Sequence, residues 1–176
     1  MRSAIPYTLG ALAAITLLQD RAPQSRPTYA VFAPLDGTWR GEFCVRKPDG
    51  TLVTRLRVTQ VYTRQSDTRQ TCVMDNVVDG KTTRETAENL ITPAGELLCK
   101  VRKADGSEVV HHGRAEGDQL FWSGTRAASE PGGLRLESFR ERVEGDRYLI
   151  DGFGIYGDPL TGTCLFHGEY RRVRER

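Results

Sequence analysis

The sequence predicts an all-β protein: a single antiparallel meander of about ten strands, closed into a barrel and preceded by a separate N-terminal segment. Three observations carry this reading. Turn signals recur about every ten residues after residue 34, at Asp49-Gly50, Ser66-Asp67, Asp79-Gly80, Ala94-Gly95, Asp105-Gly106, Glu116-Gly117-Asp118, Pro131-Gly132-Gly133, Glu144-Gly145-Asp146 and from Gly157 to Gly162. Gly, Asn and Asp accept positive φ and Pro fixes φ at little cost, so these positions punctuate the chain. The runs between them are short, rich in β-branched and aromatic residues, and alternate with the period of two that a strand requires. No long helical period intervenes, and closing a sheet of this size removes its exposed edges.

The N-terminal segment comes first. Arg2 precedes an apolar run from Ala4 to Leu18, broken by Pro6 and by Thr residues, and a polar stretch follows from Gln19 to Pro27. The run is short for a membrane span of about 20 residues and has the length of a secretory h-region. Thr28-Tyr29-Ala30 is the best small-x-small processing candidate. Residues 1–30 are therefore read as a signal peptide or N-terminal anchor with its linker, and residues 31–176 as the barrel domain. Export to the periplasm or the extracellular space follows, with a membrane-anchored N-terminus as the alternative. No stable membrane span is expected after processing.

The strands are expected at 37–47, 51–64, 68–78, 82–92, 95–103, 107–114, 118–127, 134–143, 147–156 and 163–173. In the first, Trp39, Gly41, Phe43 and Val45 share one side. In the second, Leu52, Leu56, Val58 and Tyr62 oppose Arg55, Arg57 and Thr59. In the fifth, Leu97, Cys99 and Val101 oppose Lys100 and Arg102. The apolar side of each should face the core. The third stays ambiguous between Cys72 with Met74 and Val73 with Val77. On the eighth, Leu134 and Leu136 share a side with Ser138 and Arg140, which directs a charge inward. Phe121 and Trp122 take opposite faces of the seventh.

A chain of 176 residues suits one domain. Its 25 basic and 23 acidic residues give a formal charge of +2, too balanced to argue for nucleic acid or an anionic membrane. Arg171, Arg172, Arg174 and Arg176 crowd the C-terminus and read as a solvated rim. Four cysteines form no C-x-x-C pair, so neither a zinc ribbon nor a thioredoxin-like motif is indicated. They fall on the first, third, fifth and tenth strands. Closure makes the first and last strands neighbours, so Cys44 and Cys164 are the one pair expected to form a disulfide, with Cys72 and Cys99 free. His111 and His112 point to opposite sides of one strand and no third ligand accompanies them, so no metal site is expected. No G-x-S-x-G occurs, and no catalytic residue is assigned.

The opening Leu35-Asp36-Gly37-Thr38-Trp39-Arg40-Gly41 resembles the Gly-x-Trp start of calycin barrels, the group that includes lipocalins, fatty-acid-binding proteins and their bacterial lipocalin-like relatives. The resemblance implies that Trp39 closes one end of the barrel. It also implies that a basic residue of the last strand, Arg171 or Arg172, packs across the indole as a cation–π contact. Alternation places Arg172 with Phe166 and Tyr170, on the inward side. The strand count is nearer to fatty-acid-binding and nitrobindin-like barrels, but Lys47 to Thr51 leaves no room for a helical lid. A nitrobindin-like barrel would carry a haem-ligating His on its last strand. His167 shares a side with Leu165, Glu169 and Arg171, so a surface His is favoured over a haem ligand and no cofactor is assigned.

A ten-stranded barrel is wider than one of eight, whose side chains just fill it. The expected function is therefore non-catalytic binding of a small hydrophobic or amphipathic ligand in the interior. Phe43, Leu56, Tyr62 and Trp122 would line the site, and Arg140 with Tyr62 would grip a carboxylate. One alternative is a structural or interaction module with a filled barrel. The other is a barrel lyase or isomerase acting on a lipid or pigment, which an inward cluster of His, acid or Tyr would promote.

Overall fold

The computed structural model describes residues 26–126, 135–157 and 162–174. Ten antiparallel strands form one closed barrel: β1 (Gly37–Arg46), β2 (Leu52–Ser66), β3 (Arg69–Val78), β4 (Lys81–Ile91), β5 (Leu97–Arg102), β6 (Glu108–Glu116), β7 (Gln119–Arg126), β8 (Arg135–Glu144), β9 (Arg147–Tyr156) and β10 (Gly162–Arg172). Each strand pairs with its neighbours in sequence, and β1 pairs with β10, with Trp39 opposite Arg172 and Phe43 opposite Gly168. The turn residues explain the meander. Asp79 and Gly80 link β3 to β4 with φ of 47° and 76°, the two positive values that a tight hairpin of matching twist needs.

One end of the barrel is closed. Two short 3-10 turns, Tyr29–Val31 and Ala33–Leu35, cross it and bury Tyr29, Phe32 and Leu35. Gln70 anchors them from below, donating to the Phe32 carbonyl at 3.0 Å and to Asp36 Oδ1 at 2.9 Å, while its own carbonyl accepts from Asn89 at 2.9 Å. This buried amide is satisfied on both sides, so it orients the cap without an unpaired polar atom. The Thr28-Tyr29-Ala30 processing candidate lies inside this cap. Cleavage there would remove a buried ring whose hydroxyl donates to Asp36 at 2.6 Å. The apolar run expected to be a signal or anchor lies outside the described residues.

Trp39 is fully buried at the same end. Its indole N–H donates to the Leu35 carbonyl at 2.7 Å, and the Arg172 guanidinium carbon lies 4.2 Å from its ring centroid. Arg172 also donates to the Pro34 carbonyl at 2.8 Å. The glycine of the Gly-x-Trp opening has a physical reason here. Gly37 has φ of 108°, and a Cβ on it would come within 3.1 Å of Arg172 Nη1. Tyr148 packs on Trp39 and stacks on Tyr170, with centroids 5.5 and 5.1 Å apart. Trp122 fills the remaining space over Gly113, where any side chain would run into the indole.

Several expectations change at this level. Leu52 is exposed rather than aligned with Leu56, because the β1–β2 register shifts between Val45 and Arg46 and turns the start of β2 outward. On β3, Cys72 is buried and Met74 packs on the core, while Val73 is exposed. On β8 the inward side carries Glu137, Phe139 and Glu141, so Arg140 faces out. Cys44 lies opposite His167, three positions along β10 from Cys164. At about 3.3 Å per residue that offset is near 10 Å, and an odd offset puts the two thiols on opposite faces. Both are free, as are Cys72 and Cys99. Adjacency of strands was the right premise, but the pairing also required register.

Candidate functional site

Between the closed end and the other mouth lies a cavity of about 340 Å³. One part of its wall is aliphatic: Leu56 and Val58 from β2, Met74 from β3, Ala87 from β4 and Val101 from β5. The facing part is aromatic, with Phe43 of β1, Phe139 of β8, Tyr156 of β9 and Phe166 of β10. Phe43 and Phe166 lie 5.9 Å apart by ring centroid. Gly152 and Gly154 on β9 leave room for their neighbours: a Cβ at Gly152 would strike Phe139 Cβ and the Ser138 carbonyl on β8, and one at Gly154 would strike the Tyr156 and Phe166 rings.

The polar groups of the wall fall into two sets. Nearer the mouth, Glu137 Oε1 accepts from Arg135 at 2.7 Å and from the Tyr156 hydroxyl at 2.6 Å, and Oε2 meets His111 Nε2 at 2.9 Å. Burial alone would raise the Glu137 carboxyl, but the bonds from His111, Arg135 and Tyr156 outweigh it and hold the group down at about 2. The same contact, with burial, pushes the Tyr156 hydroxyl up. Lys103 and Glu85 form a second pair at the mouth, 3.4 Å apart.

At the cavity floor, Glu141 accepts from Tyr148 at 2.9 Å and from the Trp122 indole at 3.1 Å. Tyr62 in turn bonds Tyr148 at 3.1 Å. No cation joins this chain among the described residues. Burial dominates, and the Glu141 carboxyl is pushed up. The Cys72 thiol is raised to about 12, again by burial, so it is a neutral core group and not a nucleophile.

Of the residues expected to bind ligand, Phe43, Leu56 and Tyr62 line the cavity. Trp122 does not: it is buried at the closed end as packing and as a donor to Glu141. Arg140 is also absent from the site. It sits on the outer surface, its side chain 44% exposed, 3.6 Å from Asp151. His167 lies on the outer face as well, half exposed and bonded to Asp151 at 2.8 Å. Sequence reasoning weighed His111 only as a metal ligand and passed over Arg135, Glu137, Glu141 and Tyr156. A signal was present: Glu137 and Glu141 share a face with Phe139, and glycines stand on the strands beside them. No group of three metal-ligating side chains with suitable geometry occurs among the described residues.

Comparison with known proteins gives structure and little sequence. Rv2717c from M. tuberculosis superposes with a TM-score of 0.59 at 17% identity, over 83% of this chain and 97% of that one. The likeness is one of fold. An S-type phycobiliprotein lyase from Guillardia theta superposes with a TM-score of 0.55 at 8% identity, over 86% of this chain and 96% of its own. No protein-family model and no curated protein matches the chain. At these identities the likeness shows the fold alone, and function has to be argued from the interior.

Proposed function

We propose that this protein binds a small amphipathic molecule inside its barrel. The observation that carries the reading is the cavity itself: about 340 Å³, walled by aromatic and aliphatic groups, with buried polar atoms left unpartnered along it. Ligand pockets begin near this size and combine an apolar wall with a few placed polar groups. A barrel filled by its own side chains would leave neither the space nor the unpaired atoms. The neutral aromatic amine N-phenyl-naphthylamine tests it, because its emission rises on transfer to an apolar site. Wild-type protein should enhance the emission saturably. Ala87→Trp, which fills the cavity from β4, should abolish the enhancement while circular dichroism shows the barrel intact. Equal enhancement by both proteins would refute an interior site.

A second reading, a barrel lyase or isomerase, has one observation in its favour: His111, Glu137 and Tyr156 form an inward His–acid–Tyr cluster. Incubating fresh protein with ligand extracted from its own host separates the two. An unchanged chromatographic and optical profile supports binding, and a converted one supports catalysis. Export is inferred from the apolar segment at residues 4–18, and N-terminal sequencing of the protein from its host tests it.

A further inference from the structure

We propose that His111 is the polar anchor of the interior ligand, accepting at Nδ1 a hydrogen bond from a neutral, flat aromatic or conjugated molecule that carries an O–H or N–H donor. This rests on the interior-binding reading above. Glu137 collects bonds from Arg135 and Tyr156 as well as from His111, and such a carboxylate is an acceptor only. The proton between Glu137 and His111 therefore belongs to Nε2. In the neutral ring, which has a single N–H, Nδ1 is left with a bare lone pair.

The Cδ2–Nε2 edge of the imidazole covers Gly124 on β7, where a Cβ would lie 2.6 Å from Cδ2 and 3.2 Å from Nε2. His111 lines the cavity, and with that edge against Gly124 its Nδ1 lies on the side of the ring away from β7. His111 is only 4% exposed, and Nδ1 has no partner among the described residues. A buried acceptor in that state is costly and invites a donor. Gln60 Oε1 is a second buried acceptor on the same cavity, also without a partner. Against these two acceptors stands one unpartnered donor on the cavity, Arg135 Nε.

Arg135 is matched by Glu137 and Lys103 by Glu85, so the cavity holds no spare cation that calls for an anionic ligand. Phe139 stands edge-on to His111 with centroids 5.1 Å apart, and Phe43 and Phe166 continue the aromatic wall. A flat ring bearing a hydroxyl or N–H meets both the wall and the lone pair.

The test compares β-naphthol with its methyl ether, two rings of one shape that differ in the donor. At neutral pH the full chain should bind β-naphthol about tenfold or more tightly than the ether, the scale for leaving a buried acceptor unpaired. His111→Phe should erase that preference and still bind the ether. Imidazole nitrogen NMR of wild-type protein should show the bare His111 nitrogen shifting on addition of β-naphthol and not of the ether, a readout that needs no variant to fold. Equal affinity of wild type for the two probes, tighter binding of the ether, or an unmoved His111 nitrogen overturns the inference while interior binding stands. If neither probe binds, both readings fall.

Discussion

Two glutamates, Glu137 and Glu141, stand on the same face of β8 and are both buried, yet their surroundings hold them in opposite states. Glu137 has a guanidinium, an imidazole and a phenol on its two oxygens, and its carboxyl is pulled down to about 2. Glu141 has only the neutral donors Trp122 and Tyr148, and its carboxyl is pushed up. Burial is common to both, so burial does not set the outcome: the bonds from His111, Arg135 and Tyr156, with the Arg135 charge added, outweigh it at Glu137, and the two neutral donors at Glu141 do not. The difference divides the barrel. The half around Glu137 is ionic, internally paired and open to space. The half around Glu141 is aromatic, close-packed and capped by the N-terminal turns. One half surrounds the cavity, and the other holds the barrel shut.

The largest effect expected from breaking this division is at the closed end. Trp39→Ala should cost about 3–5 kcal/mol, the range for removing a large buried ring. The melting temperature reads it, and an unchanged value would show that the cap contributes nothing. At the open half, Glu137→Gln should cost on the order of 3 kcal/mol at neutral pH, because it leaves Arg135 beside a neutral amide. The sign follows from the direction of the shift. A depressed carboxylate stabilises the fold above its ordinary value of 4.5 and loses that contribution as pH falls toward about 2. Denaturant titrations between those limits should show the acid loss in wild type and a smaller one in the variant. Equal acid limbs would place the ionic lock elsewhere.

Arg172→Leu should cost less, about 1–2 kcal/mol, the scale of a desolvated cation–π contact. Chemical denaturation checks it. A loss as large as that of Trp39→Ala would mean that the bonds of Arg172 to the cap carbonyls outweigh its contact with the ring. The smallest effect is at Glu141. Its raised carboxyl stabilises the fold when protonated, and that contribution falls away as pH rises through the folded value. Glu141→Gln should therefore be neutral or stabilising by about 1 kcal/mol at neutral pH, and its stability should stay flat where wild type declines. A clear destabilisation at neutral pH would show that the carboxylate is ionised and needed there.

The barrel was legible because turn chemistry is local: Asp-Gly and Gly-rich pairs at even spacing mark hairpins whatever surrounds them. Faces were legible where alternation was clean, as on β1 with Phe43 and on β5 with Cys99. They were not legible on β8, where apolarity was read as inward. The inside there is ionic, and Leu136 alternates with Glu137 on the other side. The reason is physical: a carboxylate can be interior if partners arrive from β6 and β9, and those partners are not visible along one strand. Trp122 illustrates the limit in another way. Its inward direction follows from alternation, but its depth depends on Gly113 of the neighbouring strand. The Cys44–Cys164 pairing failed for the same reason, since register between the first and last strands depends on every hairpin between them.

Native mass spectrometry of the protein purified from its own host most directly tests our proposal that the open half of the barrel binds a ligand. A mass above that of the polypeptide, released on denaturation and missing from Ala87→Trp prepared the same way, is the predicted result. Bare polypeptide mass in the wild type under conditions that preserve non-covalent complexes, together with no saturable uptake of N-phenyl-naphthylamine, would contradict it.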